Sequence, residues 1–333
     1  MMKELYVISG VAGMTGSELA KILVAEGHRV IGFDNFFASS RESLCEIENN
    51  ELFDFYEYDL NSGEEMERVL DMVKGWKKQY KKLVYINCAA IVHTEYFYHI
   101  DKTFGTNVTG MKNFLEQAVM AGADIFINCS TSEVYSMQSW KEGGVAEKDY
   151  ILLANAEHSQ RTSYAAGKLL TEFFMKDAVW NQKIKGCSIR FANVYSKSER
   201  YPKHVIPHIL TELSRKGEVE LLENSKRNKR TFLHNTDSCM AVLALIRTEE
   251  ALDGSVYNVA TKEEVSMLEL VSLCAEKMGI SNPKIVFRGY RESDPERRVL
   301  NIDKIVERTG WMPKVSLAEG IEMCVKEMRK NKA

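Results

Sequence analysis

The 333-residue chain reads as an α/β protein, a doubly wound parallel sheet joined to a smaller mixed α/β lobe. Three observations predict this. Short apolar runs alternate with helical stretches at close spacing. The first run ends in a glycine-rich turn that opens a helix. The alternation holds to about residue 190 and then loosens, as a second lobe of different construction requires.

Leu5 to Ser9 is a short apolar run, the pattern of a strand buried on both faces. Ser17 to Glu26 follows as a helix with Leu19, Ile22 and Leu23 on one face, and Gly27 stops it. Arg29–Asp34 and Phe53–Tyr58 are the second and third strands. Glu64 to Lys74 is helical and Leu83 to Cys88 is the fourth strand. A long helix is predicted over Thr103–Ala121, then a strand at Ile125–Cys129, a helix over Thr162–Trp180 and a strand at Gly186–Arg190. Asn235 to Thr248 forms one more helix between irregular segments. This pattern assigns residues 1–190 with about 231–257 to a Rossmann-like dinucleotide-binding domain. About 191–230 with 258–333 form the lobe that carries the other ligand.

The composition is that of a soluble protein, with 45% hydrophobic and 27% charged residues. A net charge of -3 excludes a global basic field for nucleic acid. Lys226, Arg227 and Lys229 read as a solvated loop. Seven scattered cysteines form no C-x-x-C pair, which suits a reducing compartment. Cys88 and Cys129 read as small core residues. Neither a signal peptide nor a membrane-spanning run is present, so the reading is cytoplasmic. His204 and His208 stand at i, i+4 but lack the acid or cysteine partners of a metal site, and no metal is expected.

Gly10, Gly13 and Gly16 lie between the first strand and the first helix. Glycines there permit the tight turn and let backbone N–H groups approach a pyrophosphate. Asp34 ends the second strand, 18 residues past Gly16. Its carboxylate suits a ribose 2′-hydroxyl and repels a 2′-phosphate, so the cofactor is NAD. Asp59 follows the third strand within reach of the adenine, with the strand-end role the other reading. Ala89 and Ala90 are small enough to let a cofactor lie on the sheet edge. Tyr164 and Lys168 stand at i, i+4 on one helix face, where an ammonium favours the phenolate. That brings a group of ordinary pKa about 10 toward the working range of a proton acceptor.

These motifs, with Ser130-Thr131-Ser132-Glu133-Val134-Tyr135, Asn107-Val108-Thr109-Gly110 and Arg190-Phe191-Ala192-Asn193-Val194-Tyr195, resemble the extended short-chain dehydrogenase/reductases of the nucleotide-sugar epimerase/dehydratase group. Arg230-Thr231-Phe232, Gly289-Tyr290-Arg291-Glu292-Ser293-Asp294 and Thr309-Gly310-Trp311-Met312-Pro313 extend the likeness over most of the chain. The resemblance implies that Met14, Thr15, Asn35, Leu60, Asn107 and Phe191 join the cofactor site. It implies that Tyr164 takes the sugar 4-hydroxyl proton while hydride passes to NAD, that Lys168 lowers the tyrosine pKa, and that Thr131 binds the 4-oxygen. Asn193, Arg230 and Arg291 would contact the diphosphate of a nucleotide-diphosphate sugar. His93, just past the small-residue end of the fourth strand, reads either as a pocket residue or as a structural histidine. Arg230 and Arg291 also admit a reading as plain ion pairs. A homodimer through a four-helix bundle is implied, with Thr103–Ala121 and Thr162–Trp180 as candidate helices and Phe114, Phe173 and Phe174 serving core or interface.

Glu133 is the informative residue for the later steps. In the dehydratases of this group the glutamate moves the C5 proton, so Thr131-Ser132-Glu133 points to 4,6-dehydration or decarboxylation. Ser132 stands where dTDP-glucose dehydratases carry an aspartate. A 4-epimerase is the alternative, and a non-catalytic NAD-sensing or RNA-binding relative is the reading from another class. Ser196-Lys197 in place of Gly-Pro and Ser136 in place of glycine depart from the pattern around the substrate.

Overall fold

The computed structural model describes residues 3–138, 141–199, 201–292 and 294–330; Ser293 of the C-terminal motif lies outside the described residues. In chain order the first half comprises β1 (Leu5–Ser9), α1 (Met14–Ala25), β2 (Arg29–Asp34), β3 (Phe53–Glu57), α2 (Gly63–Lys77), β4 (Leu83–Asn87), α3 (Ile100–Phe104), α4 (Met111–Met120) and β5 (Ile125–Thr131). The second half adds α5 (Arg161–Trp180), β6 (Lys185–Phe191), β7 (Val194–Tyr195), α6 (Val205–Lys216), β8 (Glu218–Leu221), β9 (Lys229–Thr231), β10 (Leu233–His234), α7 (Asn235–Arg247) and β11 (Asp253–Val259). It closes with β12 (Glu264–Ser266), α8 (Met267–Met278), β13 (Lys284–Phe287), β14 (Arg297–Arg298), α9 (Asp303–Thr309) and α10 (Leu317–Lys330).

Seven strands form one parallel sheet in the order β11-β6-β5-β4-β1-β2-β3. Alternate residues of each strand serve opposite faces, which is why the strands are apolar throughout. Tyr6 and Ile8 of β1 pack on a layer that includes Leu19 and Leu23 of α1 and Val242 of α7. Leu5 and Val7 face a second layer with Val69 of α2, Phe114 of α4 and Met175 of α5. Each such fully buried side chain contributes about 1.5–3 kcal/mol of transfer free energy. A third cluster, with Ile209 of α6, Leu270 of α8 and Ile321 of α10, is built wholly from residues after 190.

Several elements differ from the sequence reading. The helix predicted over Thr103–Ala121 is broken into α3, a π-helical segment Gly105–Gly110, and α4. The wide turn places Asn107 where its side-chain amide takes both backbone groups of Ile91, accepting its N–H at 2.7 Å and donating to its C=O at 3.0 Å. Helix α1 begins at Met14, inside the glycine turn, because Gly13 adopts the extended cap conformation. The edge strand β11 escaped periodicity because its run is interrupted by Gly254 and Ser255 and carries a register shift. The smaller sheets β7–β10, β12–β9–β14 and β8–β13 have strands too short to register as periodic. No helix among the described residues is long and apolar enough to cross a membrane.

Candidate active site

The carboxyl edge of the sheet gathers the glycine turn, the strand-end acids and the tyrosine helix. Gly10 has φ +66°, and a Cβ there would lie 2.6 Å from the Ala89 nitrogen. A Cβ at Gly16 would run into the Gly10 carbonyl. The turn is therefore packed against the β4 end as tightly as backbone allows. Gly13 caps α1 with no side-chain acceptor, so the helix N-terminus keeps donor capacity for an anion. Asp34 accepts from the Ala12 N–H (3.0 Å), the Phe36 N–H (2.8 Å) and the Ser39 hydroxyl (2.8 Å). A carboxylate has about four acceptor sites, so one remains for a hydroxyl. These residues fit a dinucleotide.

The other expected cofactor residues divide. Asn35 donates to Asp59 at 3.0 Å, which ties the ends of β2 and β3 together. Burial works to raise the Asp59 carboxyl, and hydrogen bonds from Asn61 and Asn35 overcome it and hold it below its usual range. Leu60 packs under Gly110, where a Cβ would lie 3.0 Å from its methyl. The Met14 C=O and the Thr15 hydroxyl both meet the amide of Asn235 at the start of α7. Ala89 and Ala90 are half-buried. Asn107 is buried and holds the loop at Ile91. Phe191 is in register with Thr131 across β5 and β6.

Tyr164 is buried, has Thr131 acting on its phenol and stacks on Phe97. Burial pushes its phenol up; Thr131 and Arg161 oppose this, while Glu133 and Cys129 add to it. The expected partnership with Lys168 differs. Lys168 donates to the Cys129 C=O at 2.8 Å, and burial lowers its ammonium against the opposing charges of Cys129, Cys88 and Glu172. A buried ammonium needs an acceptor, and the strand carbonyl supplies it. Cys129 and Cys88 stand side by side on β5 and at the end of β4, with sulfurs 3.9 Å apart.

Glu133 lies on the 3-10 turn Ser132–Tyr135, and its backbone N–H donates to the Thr131 hydroxyl at 3.2 Å. Its Oε1 accepts from Arg298 at 2.5 Å and Arg161 at 3.4 Å. Burial would raise this carboxyl, but Arg298, Arg161 and, more weakly, Arg230 hold it down at about 2. Glu133 Oε2 and Arg298 Nε are buried without a partner, so this pair retains capacity for a ligand. Ser132 is buried beside it.

Arg230 is bound to Asp294 at 2.9 Å and to the carbonyls of Lys229 and Glu296. Burial lowers its guanidinium, Asp294 opposes, and Arg298 adds to the lowering. Asn224 clamps the backbone of Arg291 on both sides, at 2.8 and 2.9 Å. Arg291 is surface-exposed as a residue, yet the protein atoms around its guanidinium, followed by Arg161, lower its basicity while Asp294 and Glu133 oppose. Asn193 has φ +33° and donates to the Thr231 C=O at 3.0 Å. His93 stacks on Tyr201, with ring centroids 3.8 Å apart. His204 pairs with Glu199, and His208 meets the Glu220 C=O at 2.9 Å.

Sequence reading missed Arg161, Arg298, Phe97 and Asn235. Only Arg161 carried a signal, its place one helical turn before Tyr164. The others come from segments far away in the chain. A cavity of about 900 Å³ flanks α5 and β11, lined by Glu172, Lys176, Arg190 and Lys304 among others, but none of Tyr164, Thr131, Glu133 or the glycine turn borders it. The chemistry-bearing residues mark the site, and cavity size does not.

The family model described as GDP-mannose 4,6 dehydratase matches residues 7–324. UDP-glucuronic acid decarboxylase 4 of Arabidopsis thaliana is 29% identical over 328 residues, covering 97% of this chain and 68% of its own. Two solved structures share the fold. UDP-glucose 4-epimerase of Thermotoga maritima, solved with UDP-glucose, has TM-score 0.86 at 24% identity, covering 99% of this chain and 100% of that one. The dTDP-glucose 4,6-dehydratase of Streptomyces venezuelae, solved with NAD, has TM-score 0.85 at 22% identity, covering 98% of each.

Proposed function

The chain belongs to the GDP-mannose 4,6-dehydratase family, and from that premise we propose that it is an NAD-dependent enzyme that oxidises a nucleotide-linked uronate at C4 and releases its carboxylate as carbon dioxide. The observation that carries the choice of reaction is the state of Glu133. Arg298 and Arg161 hold its carboxyl at about 2, so it is ionised at neutral pH. An anion held that low is a poor proton donor to a departing 6-hydroxyl and a weak base toward C5. Ser132 supplies no acid in its place. Dehydration needs both transfers, whereas decarboxylation needs neither.

The charge balance supports the same reading. Arg161, Arg230, Arg291 and Arg298 act on one another and on Glu133 and Asp294 within a single cluster. Four guanidiniums against two carboxylates leave positive charge over, which suits a ligand carrying a diphosphate and a further carboxylate. The Arabidopsis relative acts, by its name, on UDP-glucuronic acid.

The Gly10–Gly16 turn and Asp34 would hold NAD, which would supply the hydride acceptor for C4. Tyr164, once ionised against the burial that raises its phenol, takes the proton of the 4-hydroxyl, and Thr131, which favours that phenolate, aligns the same oxygen. Lys168 fixes the β5 end through the Cys129 carbonyl. The 4-ketone makes the C5 carboxylate a β-keto acid. When the bond from C5 to the carboxyl carbon breaks, carbon dioxide leaves and the electron pair enters the enolate of the C4 ketone. A proton then adds at C5.

The test is incubation with UDP-glucuronate, UDP-glucose, dTDP-glucose and GDP-mannose and mass analysis of the products. Loss of carbon dioxide from UDP-glucuronate supports the proposal. Loss of water from dTDP-glucose or GDP-mannose, or UDP-glucuronate returned at unchanged mass, refutes it.

We further propose a homodimer through α4 and α5 in a reducing, cytoplasmic setting. Met120, Phe173 and Trp180 of these helices are exposed, whereas Phe114 is wholly in the core and Phe174 is half-buried against it. All cysteines are free thiols. A single monomeric boundary in sedimentation at micromolar concentration refutes the dimer.

A further inference from the structure

We propose that Phe97 is a positioning residue for Tyr164, and that the turn carrying it links the loop at Tyr201 to the reacting phenol. This rests on the reading of Tyr164 as proton acceptor.

Phe97 follows the 3-10 turn Thr94–Tyr96 and is 3% exposed. Its ring lies parallel to that of Tyr164, with centroids 4.9 Å apart and planes 7° from coincidence. Its carbonyl accepts the hydroxyl of Ser163, the residue before Tyr164, at 2.6 Å. Two adjacent residues of α5 are thus held by one residue of the turn. The turn is anchored from behind by Thr103, whose hydroxyl donates to the Tyr96 C=O at 2.7 Å.

Its other side belongs to the loop before α6. The Tyr201 hydroxyl donates to Glu95, Lys203 meets the same carboxylate at 3.3 Å, and His93 stacks on Tyr201 with planes 7° apart. One five-residue turn therefore touches a segment of the smaller lobe at its start and the tyrosine at its end.

The stack has two physical consequences. It fixes the ring plane, and so the direction of the phenolic oxygen. It also places an electron-rich aromatic face over a group that must become an anion, and keeps water from that side. Burial is the leading cause of the raised Tyr164 phenol; Glu133 and Cys129 add to it, and Thr131 and Arg161 oppose it. Removing the Phe97 ring should move two observables in opposite senses. The phenol becomes easier to ionise, yet turnover falls because the oxygen is no longer aimed.

The test uses the full-length protein with NAD and four variants: Phe97→Leu, Phe97→Tyr, Tyr201→Phe and Tyr164→Phe. Phenol ionisation is followed by near-ultraviolet difference absorbance, with Tyr164→Phe subtracted to isolate Tyr164 from the other tyrosines. Turnover is measured on UDP-glucuronate. Phe97→Leu should titrate Tyr164 at lower pH and lower kcat about tenfold with KM nearly unchanged. Phe97→Tyr should restore kcat. Tyr201→Phe should lower kcat about two- to threefold without changing the thermal midpoint. Unchanged titration and kcat in Phe97→Leu overturn the inference, and unchanged kcat in Tyr201→Phe overturns the link to the loop. Should Phe97→Leu not fold, Phe97→Tyr and Tyr201→Phe decide: a Phe97→Tyr kcat as low as that of Tyr164→Phe overturns it too. Full turnover in Tyr164→Phe would instead remove the reading of Tyr164, while the titration still reports on Phe97. Absence of any reaction with UDP-glucuronate refutes the proposed substrate, and the titration again decides the role of Phe97.

Discussion

Glu133→Gln isolates the ion cluster on which the choice of reaction depends. In the folded protein Arg298 and Arg161 hold the Glu133 carboxyl at about 2 against the opposing effect of burial, compared with an ordinary value of 4.5. The side chain is 15% exposed, so solvent screens it little. A folded-state value below the unfolded one contributes stability that is present above pH 4.5 and lost as pH falls toward 2. The gap is worth about 3 kcal/mol at most, at about 1.4 kcal/mol for each tenfold change in proton affinity. Glutamine cannot titrate, so the variant lacks this dependence. Urea unfolding at intervals from neutral pH into the acid range, for both proteins, gives the comparison. The stability difference should stay level from pH 7 to about 5 and then move by about 3 kcal/mol in favour of the variant as the wild type loses the ionised pair. Curves that remain parallel throughout would show that Glu133 has an ordinary acidity. The argument against dehydration would then fail with it.

Other consequences follow from the same geometry. Tyr164→Phe should lower kcat by about 10²–10⁴-fold if, as proposed, the phenol is the proton acceptor, and steady-state kinetics on UDP-glucuronate checks this. Gly10→Ala places a Cβ 2.6 Å from the Ala89 nitrogen at φ +66°. It should abolish retention of NAD after gel filtration and lower the thermal midpoint, and full NAD occupancy would contradict the packing argument. Glu172→Leu leaves the buried Arg190 without its bidentate partner, so unfolding stability should fall by about 3–5 kcal/mol. Changing both residues to hydrophobes of similar size should cost less, and additive losses in a double-mutant cycle would refute the coupling.

The chain reveals the parallel sheet because its signals are local. Leu5–Ser9 and Leu83–Asn87 are apolar without interruption, and buried parallel strands must be. Gly10, Gly13, Gly16 and Asp34 stand within one strand–helix–strand unit, so their spacing alone places them at one edge. Tyr164 and Lys168 share a helix face by periodicity. In each case the informative separation is short, and backbone geometry converts it into distance.

The acid–arginine cluster could not be read this way. Arg298 is 165 residues from Glu133, and Arg230 meets Asp294 across 64. They meet because β14 and β9 pair in the smaller sheet and bring that sheet to the end of β5. The tertiary structure also decided where Lys168 directs its charge, since a buried ammonium takes the nearest competent acceptor, here a strand carbonyl. The sequence by itself determined the sheet, the glycine turn and the pairing of Tyr164 and Lys168 on one helix face. Only the folded chain decided that Glu133 is held ionised, because its acidity depends on charges the chain order does not place beside it.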